Sequence, residues 1–209
     1  MTAAPEPVTL HHRLAPEDAS RAGFYAVLGR LYGDPPDVAL LRSIANAPRL
    51  PEAGEARLAR AFNRLADASG AMDAEAAAQE YTDLFVGVGK SEVDLHASHW
   101  LAEPALVKPL VAVRADLARF GLGRQPGATM MEDHLSALCE AMRLLITGEG
   151  GRKPADVPTQ REFFERHLAQ WTPRCCAAIA ASSIANYYRC VAELTDSFMA
   201  LDRDALAMD

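Results

Sequence analysis

Apolar residues in this chain recur at spacings of three and four, and each run of them is stopped by glycine, proline or a Ser-Gly break. That pattern leaves few folds open. Phe24, Val27, Leu28 and Leu31 fall at i, i+3, i+4 and i+7 and line one face of a helix. Pro16 suits a first helical position, Glu17 and Asp18 complement the helix dipole, and Gly33 with Asp34-Pro35-Pro36 closes the run. Val38, Leu41 and Ile44 mark a short second helix, and Leu58, Ala61, Phe62 and Leu65 a third that stops at Ser69-Gly70. Asp73 is the predicted N-cap of a fourth, whose apolar face holds Ala77, Tyr81, Leu84 and Val88 or Phe85. Glu103-Pro104 opens the next, through Leu106, Leu110, Val113, Leu117 and Phe120, until Gly121, Gly123 and Pro126. Met131, Leu135, Leu138, Met142 and Leu145 follow, up to Gly148-Glu149-Gly150-Gly151. Phe163, Phe164 and Leu168 belong to a helix before Trp171, Cys176 and Ile179 to one starting at Pro173, and Tyr187, Val191, Leu194, Phe198 and Leu201 to the last. No segment alternates with period two, and no repeat of solenoid length occurs. The prediction is an all-α protein: one compact, bundle-like domain of about eight or nine helices over residues 16–209, with residues 1–15 a flexible N-terminus.

Half the residues are apolar and 23% are charged, which is globular composition and excludes wholesale disorder. No apolar stretch approaches the roughly 20 residues needed to cross a bilayer. The segment from Met1 to Pro16 lacks a basic region followed by an apolar core, so the expected location is the cytoplasm. Cys139, Cys175, Cys176 and Cys190 lie within apolar helical patterns and form no Cys-x-x-Cys pair, so they read as small, reduced core residues. A net charge of −7, with no Lys/Arg stripe read on any helix, argues against nucleic acid and suits a basic partner.

The helical pattern breaks over Val86 to His99, a stretch with Gly87, Gly89, mixed charges and two histidines. A loop of that length in a compact helical domain is either disordered or functional. Three clusters near it carry chemistry. Glu132-Asp133-His134 opens an apolar helix, where carboxylates satisfy free backbone N–H groups; the same residues also form a carboxylate-imidazole patch able to accept hydrogen bonds from a guanidinium or a peptide. Asp94, His96 and His99 are metal-ligand types with no evident fourth ligand, and with Trp100 they read equally as a polar or recognition loop. Among the aromatic residues, Phe85 and Trp100 stand apart because they flank the irregular segment. No nucleophile elbow, phosphate-binding loop or His-Glu-x-x-His motif is present. The enzymatic alternative is a helical metal-dependent phosphohydrolase using His96, His99, Asp133 and His134, but its metal-binding motif has the order His-Asp, reversed here.

Taken in order, these segments resemble the TorD/DmsD/NarJ family of redox-enzyme maturation chaperones. Tyr81-Thr82-Asp83-Leu84-Phe85-Val86-Gly87 is similar to that family's aromatic-x-x-Leu-Phe-x-Gly helix end, and Ser98-His99-Trp100-Leu101 to the step that closes the following loop. Glu132-Asp133-His134-Leu135 resembles its Glu-Asp-His-apolar signature. The stretch from His167 to Arg174 is similar to its His-Leu-x-Pro-Trp segment, with Gln170 where proline is usual, and Tyr187-Tyr188-Arg189 to the start of its last helix. Val88 and Met130-Met131 also stand where the family usually carries proline and Glu-Pro.

The resemblance implies an all-helical fold with halves of roughly 16–120 and 127–209 joined at a hinge, as a monomer or domain-swapped dimer. It implies no cofactor and a non-enzymatic role: binding the N-terminal, twin-arginine-type segment or the apo form of a molybdenum-containing oxidoreductase until cofactor insertion is complete. An arginine pair followed by an apolar run requires carboxylates beside an apolar groove. The residues expected to supply them are Tyr81, Leu84, Phe85, Trp100, Glu132, Asp133 and His134.

Overall fold

The computed structural model describes residues 14–87, 89–101, 108–124, 127–149 and 152–208. Its helices are α1 (Pro16–Gly33), α2 (Val38–Ala45), α3 (Ala56–Ala71), α4 (Ala74–Tyr81), α5 (Ala97–Trp100), α6 (Pro109–Arg119), α7 (Leu135–Thr147), α8 (Val157–His167), α9 (Thr172–Ala181) and α10 (Tyr187–Met208), with a π-helical turn at Thr82–Val86 after α4. The expected all-α class holds. The count exceeds the predicted eight or nine because α5 is a four-residue helix inside the segment read as aperiodic. Among the described residues there is no strand, only an isolated antiparallel bridge between His96 and His134.

Sequence signals set most boundaries. Asp73 caps α4 by accepting from the backbone N–H of Glu75 and Ala76, and Asp37 and Asp156 cap α2 and α8 in the same way. Gly148 ends α7 in the left-handed region at φ +66°, where a Cβ would lie 2.4 Å from the Pro154 nitrogen. Two starts differ from expectation. α7 begins at Leu135 with His134 as its cap, so Met131, read as part of its apolar face, lies exposed in the segment before it. α6 begins at Pro109, with Lys108 extended before it as the residue preceding a proline prefers. The predicted opening at Glu103-Pro104, with Leu106, lies outside the described residues.

α1 packs along α7, and α10 packs against α3 and α9, so both halves of the chain build one core. Tyr25, Leu28, Leu31 and Tyr32 of α1 meet Leu135, Leu138, Cys139 and Met142 of α7 there, all fully buried. Small residues allow that close approach: a Cβ on Gly33 would stand 2.8 Å from Ser136 Oγ, which donates to the Gly29 carbonyl at 2.6 Å.

Two buried carboxylates staple this core. Asp202 of α10 accepts from Tyr25 Oη at 2.6 Å and Arg21 Nε at 2.5 Å, while Arg21 also reaches Gln160 of α8 at 2.9 Å. Glu80 of α4 accepts from the backbone N–H of Asn186, Tyr187 and Tyr188 at 2.9, 3.1 and 2.7 Å, capping α10 from another helix. Arg57, Arg60 and Arg64 do form a row on one face of α3, contrary to the reading that no helix carries a basic stripe. Asp196, Glu52 and Glu193 pair with them, so the row is internally neutralised.

Candidate functional site

The irregular segment starts where α4 loosens into the π-helical turn. The Gly87 N–H reaches the Thr82 carbonyl at 2.8 Å, five residues back, and Gly87 sits at φ +64° with the Lys90 carbonyl 2.3 Å from where a Cβ would be. The chain then doubles back: the Val93 N–H donates to the Leu84 carbonyl at 2.9 Å, burying Val93 and Leu95. Tyr81 and Leu84 are buried and Phe85 is half-buried. The Phe85 ring stands edge-on to Tyr188 at 4.9 Å, Tyr81 at 5.3 Å and Tyr32 at 6.1 Å. Burial pushes the Tyr81 hydroxyl up to about 12. These three predicted site residues form a wall of the core, and among the described residues Phe85 makes no ring contact with Trp100.

From Asp94 the loop is tied to the start of α7. The Ala97 N–H donates to the Asp133 carbonyl at 2.9 Å and the Leu135 N–H to the Leu95 carbonyl at 2.8 Å, which sets His96 beside His134 with ring centroids 4.9 Å apart. Asp133, 2% exposed, accepts from both the N–H and the Oγ of Ser98 through Oδ2, at 3.0 and 2.5 Å. It therefore caps α5, a neighbouring helix. The cap of α7 is His134, whose Nδ1 accepts from the Ser136 N–H at 3.2 Å. Burial first, then the nearby His96, lowers the His134 imidazole to about 4, so it is neutral at neutral pH. Asp94 orders the loop from its other end, accepting from the N–H and the Nδ1 of His96 at 2.8 Å each, while its carbonyl takes the Trp100 indole N–H at 2.9 Å. Asp94 is held below the ordinary carboxylate range; its burial opposes that shift, and the hydrogen bonds from His96 prevail.

Glu132 faces the other way. Arg114 of α6 donates to its Oε2 through Nε at 3.1 Å and Nη2 at 3.0 Å, and that contact keeps the carboxyl below its ordinary range. Its side chain lines an apolar furrow of about 280 Å³ between the end of α6, the turn before α7 and α7 itself. Leu117, Leu122, Met130, Ala141 and Leu144 form the walls, with Glu140 and Arg124 on the rim. Sequence reasoning missed this furrow because its walls come from three separate stretches. The available signal was Leu144 of α7, which falls outside the buried stripe Leu138, Met142 and Leu145.

The structure thus brings Asp133, His134 and Trp100 together through the loop, sends Glu132 to the furrow, and sets Tyr81, Leu84 and Phe85 in the core. The ligand set of the phosphohydrolase reading does not converge: Asp133 is spent on Ser98 and His134 Nδ1 on its own helix. Among the described residues no three His, Cys, Asp or Glu side chains are grouped to hold a metal ion, and no helix is long and apolar enough to cross a membrane.

Fold and site together define an all-helical protein with an apolar furrow and, among the described residues, no assembled metal centre. The profile of the family described as nitrate reductase delta subunit matches residues 51–177, and the chain belongs to that family, the TorD/NarJ group of redox-enzyme maturation chaperones, whose role is non-enzymatic. The chain is also similar to the chaperone protein TorD of Shewanella loihica, 25% identical over 206 residues that cover 91% of this chain and 95% of that one.

Proposed function

We propose that this chain acts in the cytoplasm as a chaperone for a molybdenum-containing oxidoreductase, holding the enzyme's N-terminal twin-arginine-type segment, or its apo form, while cofactor is inserted. The observation that carries the reading is the apolar furrow with Glu132 on its wall. Its volume, about 280 Å³, is roughly twice that of an apolar cavity that holds benzene (~150 Å³). It suits one or two apolar side chains of a client segment better than a large cofactor.

Each leucine-sized side chain buried there contributes about 1.5–3 kcal/mol. Arg114 occupies only Oε2 of Glu132, and Oε1 is left for a client guanidinium. Because Arg114 and Arg124 share the field of this carboxylate, the client arginine adds modestly, about 1 kcal/mol or a fivefold change in affinity. In this reading Asp133, His134 and Trp100 do not touch the client; they fix the loop and the turn that present Glu132.

Calorimetry with a synthetic peptide of two arginines followed by eight apolar residues tests the reading. Leu122→Asp should abolish binding, and Glu132→Gln should weaken it about fivefold and flatten its salt dependence. Wild-type affinity in both variants would remove the furrow as the client site.

A further inference from the structure

The furrow does not end at Leu144. On the far side of Leu122 and Leu144 a second cavity of about 270 Å³ opens, lined by Phe120, Leu145, Ala155, Arg152 and Lys153. Both leucines border both cavities, so the two form one trough along α7, with Glu132 at one end and Arg152 and Lys153 at the other. The span of α7 from Ala137 to Leu145 alone gives it a length of about 12 Å, enough for four extended residues.

The basic pair is held in place. Gly148 at φ +66° lets the backbone of Arg152 to Pro154 close on the end of α7, where a Cβ would meet the Lys153 carbonyl carbon at 2.5 Å, and the Ala155 N–H donates to the Leu145 carbonyl at 2.8 Å. Arg152 Nη1 reaches the Gly121 carbonyl at 3.5 Å across the trough. Among the described residues no carboxylate pairs with Arg152 or Lys153. Glu149 and Asp156 are the nearest acids in sequence: Glu149 spends both oxygens on Arg143, which also holds Glu140, and Asp156 accepts from the Thr159 N–H as the cap of α8. In a chain of net charge −7, this end of the trough carries uncompensated positive charge.

We propose that the occupant of the trough carries an acidic side chain on the C-terminal side of its apolar run, seated between Arg152 and Lys153, so that it lies in the same direction as α7. The inference rests on the reading that its cationic end meets Glu132. Reversed, the segment would set its arginines against Arg152 and Lys153, so the basic end selects the polarity, by attraction of the acid and repulsion of the arginines. At the other end Arg114 and Arg124 offset part of the Glu132 charge.

Two synthetic peptides decide it, each with two arginines and four apolar residues, the number that spans the trough, one ending in Glu-Glu and the other in Lys-Lys. At low salt the wild type should bind the Glu-Glu peptide at least about tenfold more tightly, and the double variant Arg152→Glu, Lys153→Glu should reverse the preference. Equal binding of both peptides by the wild type would overturn the trough's polarity while leaving the furrow as client site. Failure of the wild type to bind either peptide would overturn both. Arg152 and Lys153 are exposed, and an unchanged melting curve of the double variant confirms that its core is intact.

Discussion

Glu80 and Asp133 use the same chemistry at two places, a buried carboxylate capping a helix that belongs to another part of the chain. Glu80 takes three backbone N–H groups at the start of α10, a helix of 22 residues whose first turn buries Tyr187 and Tyr188. Asp133 takes one N–H and one hydroxyl at the start of α5, four residues long, with His99 exposed and Trp100 half-buried. A long amphipathic helix is held chiefly by its packed face, and its cap adds to a structure already cooperative; a single turn has almost no stability of its own, so its cap and its bridge are most of what keeps it. The first carboxylate serves the fold and the second places a loop.

The comparison breaks most readily at Glu80. Replacing it with alanine leaves three N–H groups of α10 without their charged acceptor, and the expected cost is about 4 kcal/mol, a fall in melting temperature of roughly 8–16 °C. Loss of less than 1 kcal/mol in urea titration would show that water replaces this cap freely.

The next effect is the pH response of the turn that carries Asp133. His134 falls from 6.5 to about 4 on folding, so the folded state disfavours the proton, and stability is fully present above the unfolded value. As pH drops from about 6.5 to about 4 the unfolded state takes up the proton first and roughly 3 kcal/mol is lost. Protonation also removes the Nδ1 acceptor that caps α7. His167, lowered by burial despite its 2.7 Å contact with Asp116, adds a slope of the same sign. His134→Asn keeps a capping side chain without the titration, so its stability curve should be visibly flatter over this window; an unchanged slope would assign the whole response elsewhere.

The smallest effect sharpens the contrast. Asp133→Asn should cost only about 1 kcal/mol globally. It should speed amide exchange at Ala97 to Trp100 while α7, capped by His134, exchanges at its former rate. Fraying of α7 instead would mean that Asp133 serves its own helix after all.

Much of the fold was legible because stripes such as Phe24, Val27, Leu28 and Leu31 and stops such as Gly33 and Gly148 are local signals. The pairing of those stripes was not: nothing within α1 or α7 announces that Gly33 makes room for Ser136. Glu132-Asp133-His134 stood out as a unit, yet its division of labour depends on which neighbour each side chain meets. Asp133 meets Ser98, His134 its own helix and Glu132 the furrow, and those neighbours come from distant stretches. Glu80 gave a faint signal, a charge on the same face as Ala77 and Leu84, where a buried partner had to exist.

The chain has two tryptophans, one in the packed core at the start of α9 and one in α5. Trp171 is fully buried, its indole N–H donating to the His167 carbonyl at 2.6 Å; Trp100 is half-buried in the loop that Asp133 holds. Excited together, the first emits as an indole in an apolar medium and the second at longer wavelength, within reach of a dissolved quencher such as iodide. One cuvette therefore yields two optical channels without labelling. The red-edge, quenchable component follows the loop, the blue component follows the global transition, and a client that alters only the first acts on the loop without loosening the core.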